Sequence, residues 1–233
     1  MSKFGIIGKI NFFQNILSSI ISKVNPAIMH NVGKYFAIKK VFYLSAIEQV
    51  KGDYFEFGVY TGSSFSHAIR CANSHIKYDE GLKKIKFFGF DSFKGFGELE
   101  ENDKHSFYTD INFDTSYKKV NKRIKKLIGG NRYELIDGFF EDTLKESKPK
   151  SNLARIIFID SDTYSSAFLA LNYLRPVIQV GTIIILDDYF SYKGMQDKGV
   201  YGAFKRFKES NNYITRRIFT YGMGGVVQIF VKV

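Results

Sequence analysis

Runs of large apolar residues alternate with amphipathic stretches along most of this chain, and the alternation predicts its secondary structure. Uninterrupted runs of β-branched and large apolar residues, which are typical of buried parallel strands, occur at residues 156–159 and 183–186. Strands are predicted at residues 54–59, 85–91, 133–137, 154–160, 182–187, 214–220 and 226–233. Helices are predicted between them, at residues 63–72, 140–146, 166–174 and 202–210 and in a basic stretch that ends near residue 128.

The first 50 residues predict helices of a different kind. Apolar residues recur at helical spacing through residues 4–28 and again through 35–50, where Gly52 ends the pattern. A long apolar stripe must be covered, because large exposed apolar patches are rare on monomers. We favour packing on the core or on a second subunit, which predicts a homodimer. Docking on an anionic membrane, as a peripheral contact helped by Lys3, Lys9 and Lys23, is the alternative.

Five strand-to-helix steps followed by a hairpin predict the fold. A Gly-rich link at residues 221–225 joins the last two strands, which favours a mostly parallel α/β sheet that ends in an antiparallel hairpin. This Rossmann-like sheet of seven strands is the layout of class I methyltransferases. Residues 51–233 would form that domain, with residues 1–50 as an N-terminal helical segment for cover or dimerisation. The segment 93–115 is long for a structureless connection, which predicts a lid.

Composition narrows the possible partners only a little. The net charge is +11, which admits nucleic acid, an anionic substrate, an anionic membrane or a plain composition bias. The basic residues are dispersed and do not form a patch interleaved with aromatic residues, so we expect no stable binding of nucleic acid. The lone Cys71 excludes an intramolecular disulfide and fits a reducing, cytoplasmic location. No apolar stretch approaches the roughly 20 residues that span a bilayer.

A cofactor site is predicted at the first strand-to-helix turn. Glycines in Glu56-x-Gly58-x-x-x-Gly62 allow a ligand to approach the backbone, although the spacing is not that of a dinucleotide site. An acid there suits the cationic end of S-adenosylmethionine, directly or through the loop that it orients. Asp91 ends the second strand and could accept bonds from ribose hydroxyls, or cap a turn. The candidate cofactor residues are Glu56, Gly58, Tyr60, Gly62, Ser63, Asp91, Ser92, Asp137, Gly138 and Phe139. The last three would lie beside the adenine ring, or else form a plain turn.

A metal site is predicted at the ends of two later strands. Asp160 follows one apolar run, and Asp187 and Asp188 follow the next. Carboxylates at the carboxyl ends of neighbouring parallel strands point into the same crevice, where their oxygens suit Mg²⁺ or Mn²⁺. The alternative is a set of strand-end caps paired with lysines. Asp160-Ser161-Asp162 also permits a glycosyltransferase that binds a metal and a nucleotide sugar through a D-x-D motif.

Five motifs in order resemble those of the macrocin O-methyltransferase (TylF/MycF) family. The resemblance covers about residues 36–190. The motifs are Phe55-Glu56-Phe57-Gly58-Val59-Tyr60-Thr61-Gly62, Phe90-Asp91-Ser92-Phe93-Lys94-Gly95, Gly138-Phe139-Phe140-Glu141-Asp142-Thr143-Leu144, Ile159-Asp160-Ser161-Asp162-Thr163-Tyr164 and Asp187-Asp188-Tyr189. Members of this family are metal-dependent, S-adenosylmethionine-dependent sugar O-methyltransferases. The family often has Trp at Tyr60, and Pro near Phe96-Gly97-Glu98; the second departure lies in the predicted lid and concerns the substrate.

The resemblance implies roles for the acidic residues. Asp160, Asp187 and Asp188 would hold Mg²⁺ against neighbouring sugar hydroxyls, and Asp160 would be the base. A lid residue, His105, is the other candidate base. The implied substrate is a sugar or nucleotide sugar, from a surface glycan or a natural product. A metal-dependent glycosyltransferase and an RNA-directed protein of the same fold remain as alternatives.

Overall fold

Seven strands and seven helices make up the computed structural model, which describes residues 11–108, 115–145 and 147–233. The strands are β1 Asp53–Phe57, β2 Phe87–Asp91, β3 Tyr133–Asp137, β4 Ala154–Ile159, β5 Ile183–Leu186, β6 Ile214–Tyr221 and β7 Gly225–Lys232. The helices are α1 Asn11–Lys23, α2 Pro26–Ile47, α3 Ser63–His75, α4 Tyr117–Lys125, α5 Phe140–Thr143, α6 Tyr164–Leu174 and α7 Gly199–Asn211.

The strands form one sheet in the order β3-β2-β1-β4-β5-β7-β6. β1 to β5 are parallel, and β7 runs antiparallel to both β5 and β6. This confirms the predicted fold, a mostly parallel seven-stranded sheet with a C-terminal antiparallel hairpin. Strand and helix boundaries differ from the predicted ones by a few residues, as hydrogen-bond patterns at element ends usually do.

The central strands are apolar on both faces because helices cover both sides of the sheet. Every residue of β4 and β5 is buried. One face packs with α2 and α3 around Phe158, and the other packs with α6 and α7 around Phe57. The parallel register pairs Phe57 with Ile159 and Ile159 with Leu186, so these strands end at the same level.

The N-terminal helices divide at a different place from the one predicted. α2 begins at Pro26 instead of residue 35, because Asn25 caps it by accepting a hydrogen bond from the backbone N–H of Ala27 at 2.8 Å. The Asn-Pro pair lies inside the first apolar pattern, which hid the boundary. The predicted helical positions in residues 4–10 lie outside the described residues.

α2 packs closely, whereas α1 does not. The C-terminal half of α2 buries Ala37, Ile38, Val41 and Phe42 against the core. Its N-terminal half approaches the β6–β7 turn at Gly33, where a Cβ atom would lie 2.6 Å from the backbone nitrogen of Gly222. α1 buries no residue. None of the helices in the described residues is both long enough and apolar enough to cross a bilayer.

The described part of the predicted lid, residues 93–108, is anchored by Asp103. Its buried carboxylate accepts a hydrogen bond from the backbone N–H of Tyr164 at 2.8 Å and one from the Ser165 hydroxyl, and so caps α6. Tyr192 donates a hydrogen bond to the Asp103 carbonyl at 2.7 Å. Residues 109–114 of the predicted lid lie outside the described residues. The described part of the lid is therefore tied to α6 and to the segment after β5.

We expect the Gly33→Ala substitution to lower the free energy of unfolding by about 1–3 kcal/mol, the usual cost of overpacking a close contact. The added methyl group would meet backbone atoms of Gly222, which cannot rotate away as a side chain would. Urea denaturation followed by circular dichroism measures the effect. Gly224→Ala is the matched control, because no atom lies within 4 Å of the added carbon in the same turn. Equal stability of both variants would contradict the prediction.

Candidate functional site

A cavity of about 680 Å³ opens at the carboxyl ends of the central strands. The loops after β1, β2, β4 and β5 contribute to its wall, together with the lid and the first turns of α2 and α5. This is the crevice in which open α/β sheets bind their ligands. Two groups of residues divide the wall, one suited to a nucleoside cofactor and the other rich in carboxylates.

The cofactor wall is built on the loop after β1 and the end of β2. Asp91 accepts a hydrogen bond from the backbone N–H of Tyr60 at 2.6 Å and another from Phe93 at 2.6 Å, which ties the two loops together. Burial raises the pKa of Asp91, and these backbone bonds partly offset the rise. Gly58 has φ of 92°, and a Cβ atom there would collide with the carbonyl oxygen of Asp160. Asp91 therefore serves as a turn cap and also lines the cavity.

The structure brings half of the predicted cofactor residues into the cavity wall. Those that line it are Gly58, Tyr60, Asp91, Ser92 and Phe139. The cavity wall does not include Glu56, Gly62, Ser63, Asp137 or Gly138. Glu141 at the start of α5 also lines the cavity, although the sequence did not single it out as a cofactor residue.

Glu56 is fully buried behind the cofactor loop. Its carboxylate accepts hydrogen bonds from the Tyr54 hydroxyl at 2.5 Å and from the Ser64 hydroxyl at 2.6 Å. Burial raises the pKa of Glu56 to about 7, although both hydroxyl donors favour its charged form. Of the two predicted roles, direct contact with a cationic ligand or support of the loop, this geometry fits support. Ser64 lies in the first turn of α3, so Glu56 fixes where that helix begins.

Three carboxylates converge beside the cofactor wall, at the ends of β4 and β5. Asp160 follows β4, Asp187 and Asp188 follow β5, and one oxygen of each lies within 4.8 Å of the others. The backbone fixes this, because the N–H of Asp160 bonds to the Phe57 carbonyl at 2.8 Å and the N–H of Asp187 bonds to the Ile159 carbonyl at 2.9 Å. Hard oxygen donors in a cluster of this size fit a divalent cation such as Mg²⁺.

Two basic side chains from α2 reach this cluster. The Lys34 ammonium lies 2.8 Å from Oδ2 of Asp160 and 2.5 Å from Oδ2 of Asp187. The His30 ring nitrogen Nε2 lies 3.1 Å from the same oxygen of Asp187. The Tyr221 hydroxyl donates a hydrogen bond to the other oxygen of Asp187 at 3.0 Å. Asp187 is therefore surrounded by three partners.

The environments of the neighbouring carboxylates drive their pKa values apart. Burial, reinforced by the charge of Asp187, holds the pKa of Asp160 well above its usual range despite Lys34. Burial acts in the same direction on Asp187, but Lys34 and His30 outweigh it and hold the pKa of Asp187 well below its usual range. Burial lowers the pKa of Lys34, yet Asp160 and Asp187 outweigh it, so its pKa lies well above the usual value. Lys34 therefore stays protonated.

Asp162 adjoins this cluster and interacts with Asp188. It lines the cavity, and burial with the adjacent charge of Asp188 raises its pKa well above the usual range. Asp162 and Asp188 both have positive φ, 62° and 49°. Aspartate tolerates this left-handed conformation better than most residues, and such strain concentrates at functional sites.

Between these acids, the Ser161 hydroxyl is buried and has no hydrogen-bond partner among the described residues. It also lines the cavity. Buried hydroxyls are usually paired, because an unpaired one costs free energy. A bound ligand or water would satisfy Ser161, which is further support for this cavity as a ligand site.

His105, the other candidate base, does not line the cavity. Its ring lies against Tyr108 and Tyr192, with ring centroids 4.6 Å and 4.9 Å away, and its Nδ1 accepts a hydrogen bond from the Phe107 N–H at 3.2 Å. The lid instead contributes Phe96 and Phe107 to the cavity wall. Of the two predicted bases, the structure brings only Asp160 to the cluster.

Sequence reasoning missed the contribution of α2. Asn25, His30, Asn31 and Lys34 line the cavity, although residues 1–50 were expected to act as a cover or a dimer contact. No motif marks them, because a basic residue on a helix usually faces solvent. The one available signal was the pair His30 and Lys34, which four-residue spacing places on one helix face.

Comparisons with known proteins agree with this geometry. The family model described as "Macrocin-O-methyltransferase (TylF)" matches residues 35–226. The structure of the O-methyltransferase NovP is similar with a TM-score of 0.70 and 20% identity, over 86% of this chain and 81% of that one. The calicheamicin methyltransferase CalS11 is similar with a TM-score of 0.67 and 16% identity, over 91% and 85% of the two chains.

An O-methyltransferase from Bacillus cereus is also similar, with a TM-score of 0.55 and 16% identity over 97% of this chain and 93% of that one. No curated protein sequence matches the chain. Likenesses at this identity establish the fold, and the family model covers most of the chain. The chain therefore belongs to the macrocin-O-methyltransferase (TylF) family of O-methyltransferases and has the fold of class I S-adenosylmethionine-dependent methyltransferases.

Proposed function

We propose that this protein is a Mg²⁺-dependent enzyme that transfers a methyl group from S-adenosylmethionine to a sugar hydroxyl. The observation that carries the proposal is the placement of Asp160, Asp187 and Asp188, with ligand atoms within 4.8 Å, in the same cavity as Gly58 and Asp91. Membership of the macrocin-O-methyltransferase family supports the reaction. The similarity to a TDP-rhamnose 3'-O-methyltransferase of calicheamicin biosynthesis supports a sugar as the substrate class.

Each wall has a distinct task in this proposal. Asp91 would accept hydrogen bonds from the ribose hydroxyls of the cofactor, and Phe139 would lie beside the adenine ring. Asp160, Asp187 and Asp188 would hold Mg²⁺ or Mn²⁺. A divalent cation there supplies Lewis acidity, which lowers the pKa of a nearby hydroxyl. The bound cofactor supplies the activated methyl group.

Asp160 would take the proton from the sugar hydroxyl. Asp160 lines the cavity within the carboxylate cluster, so it is placed to accept that proton. The hydroxyl oxygen would then bond to the methyl carbon, and the carbon–sulfur bond would break to leave S-adenosylhomocysteine. Phe96 and Phe107 of the lid line the cavity and would exclude water during transfer. Positioning and charge compensation would account for most of the rate.

The charge of the cavity favours a neutral sugar at the reacting position. Among the described residues, its wall carries six carboxylates, and its basic side chains, Lys34 and His30, both already contact Asp187. No basic side chain in that part of the wall is left to pair with a diphosphate. We therefore propose that any nucleotide or other anionic portion of the substrate lies outside the cavity, and that the net charge of +11 plays no part in substrate binding there.

The alternatives receive less support. A glycosyltransferase would use Asp160 and Asp162 to bind a nucleotide diphosphate, but the cofactor wall at Gly58 and Asp91 has no task in that reaction. An RNA-directed enzyme would have to admit a polyanion to a cavity dominated by carboxylates, which like-charge repulsion opposes. The family match favours neither.

Asp91→Ala should weaken binding of S-adenosylhomocysteine tenfold or more, because hydrogen bonds to charged groups contribute roughly 1.5–3 kcal/mol each. Isothermal titration calorimetry measures the change. Asp137→Ala is the matched control, since Asp137 pairs with Asp91 across the strands but is exposed and outside the cavity wall. Its affinity should stay within about twofold, as for other exposed substitutions. Absence of binding to the wild-type protein would contradict the cofactor assignment.

Transfer of radiolabelled methyl groups from S-adenosylmethionine to a panel of neutral glycosides and nucleotide sugars tests the reaction. Activity should disappear in EDTA and return with Mg²⁺ or Mn²⁺. Asp187→Asn should abolish turnover and leave S-adenosylhomocysteine affinity nearly intact, because Asp187 follows β5, three positions along the sheet from β2, which Asp91 ends. Glu141→Gln is the control: it removes a cavity carboxylate outside the cluster, so its residual activity should keep the same sensitivity to EDTA. Full wild-type activity in EDTA would show that the aspartates are structural.

We also propose that α1 mediates a homodimer. Six apolar residues of this helix are exposed: Phe12, Phe13, Ile16, Leu17, Ile20 and Ile21. Deletion of residues 1–23 should convert a dimer to a monomer or an insoluble protein, as measured by light scattering. Binding to anionic vesicles with an unchanged mass after deletion would support peripheral membrane contact instead. A wild-type monomer that binds no vesicles would contradict both.

A further inference from the structure

Lys34 places a cation inside the carboxylate cluster. Its side chain is only 12% exposed, and its ammonium lies 2.8 Å from Asp160 and 2.5 Å from Asp187. A charge buried to this degree costs free energy unless opposite charges surround it. Here the ammonium of Lys34 pairs with two carboxylates that follow neighbouring strands. The positive and negative charges therefore offset the cost of each other's burial.

The position of Lys34 is fixed by its helix. One residue before it, Gly33 lies against the backbone of Gly222 without room for a side chain. One turn earlier, Nδ1 of His30 accepts a hydrogen bond from the backbone N–H of Met223 at 3.2 Å. These contacts hold α2 at the β6–β7 turn and direct Lys34 at the cluster. A lysine that merely paired with a surface acid would not need this support.

The carboxylates of the cluster differ in how many basic or hydrogen-bonding partners compensate their charge. Asp187 has Lys34, His30 and Tyr221 as partners. Asp188, by contrast, forms no ion pair within the described residues: its Oδ1 accepts a long bond of 3.4 Å from the Ser191 hydroxyl, and its carboxylate is paired with that of Asp162, another acid. Positive charge is therefore concentrated on the Asp160–Asp187 side, and the Asp188 side remains open to a further cation.

We propose that Lys34 is a positioning residue that acts as a built-in counter-cation: it keeps Asp160 and Asp187 together before a divalent ion binds, and it lowers the affinity for that ion. This rests on the proposed metal dependence. Two cations that share the same carboxylates repel each other, so the site gains less from a divalent ion than three free aspartates would. The site should therefore assemble without metal and exchange its metal readily.

Lys34→Met removes the charge and keeps a side chain of similar length. In EDTA its melting temperature should fall, because the carboxylates repel one another. Its affinity for Mn²⁺, measured by calorimetry, should rise by about tenfold or more, and saturating Mn²⁺ should restore the melting temperature to the wild-type value. Lys34→Arg keeps the charge and should bind Mn²⁺ as the wild type does. Lys40→Met is the matched control on the same helix, since that ammonium lies over the Phe219 ring.

The outcomes separate this inference from the proposed function. If wild-type protein binds Mn²⁺ and Lys34→Met binds it equally or more weakly, Lys34 is not a competing cation and the inference fails alone. If neither protein binds Mn²⁺, the proposed metal dependence fails and takes this inference with it. If Lys34→Met is unfolded in EDTA, the proposal requires that Mn²⁺ restores its fold. It also requires that the double variant Lys34→Met/Asp160→Asn is folded without metal. Failure of both rescues would overturn the proposal.

Discussion

The structure of this site depends on one electrostatic constraint: carboxylates that end adjacent strands are too close to stay charged without a cation. Parallel strands lie about 4.8 Å apart, so the level ends of β4 and β5 bring Asp160 and Asp187 together. Two like charges about 4 Å apart repel by about 4 kcal/mol even at an effective dielectric constant near 20. Lys34 relieves this repulsion. It can do so only because α2 packs where its side chain reaches Asp160 and Asp187. The helix is therefore part of the site as well as part of the core.

The sequence predicted the features that follow from local pattern. Asp160, Asp187 and Asp188 were found because each follows an apolar run, and parallel strands end at one edge of a sheet. Gly58 was singled out because glycine lets a ligand approach the backbone of a strand-to-helix turn; its φ of 92° is a conformation that favours glycine. The mostly parallel sheet with its antiparallel hairpin followed from the succession of strands and helices.

Features that depend on distant contacts could not be predicted in this way. Lys34 and Asp160 are 126 residues apart, and no local pattern distinguishes this lysine from one that faces solvent. Asp103 caps a helix 61 residues later, so it lacks the short spacing of a local cap. Glu56 had the right chemistry for a cationic ligand, but Tyr54 and Ser64 enclose it. In each case tertiary packing decides the role of the residue, because its type alone is compatible with several roles.

Charge is distributed in opposite ways inside and outside this protein. The chain carries a net charge of +11, and lysines are exposed on α4 and at its C-terminal end, whereas carboxylates outnumber basic side chains in the described cavity wall. Salt screens exposed charges beyond about 10 Å at 0.1 M, but it screens buried charges much less. The field that a bound ligand meets is therefore set by the cavity wall. An acidic wall attracts a divalent cation and the cationic sulfonium of S-adenosylmethionine, and it repels phosphate. The basic exterior can steer the protein towards an anionic surface without altering what the cavity binds.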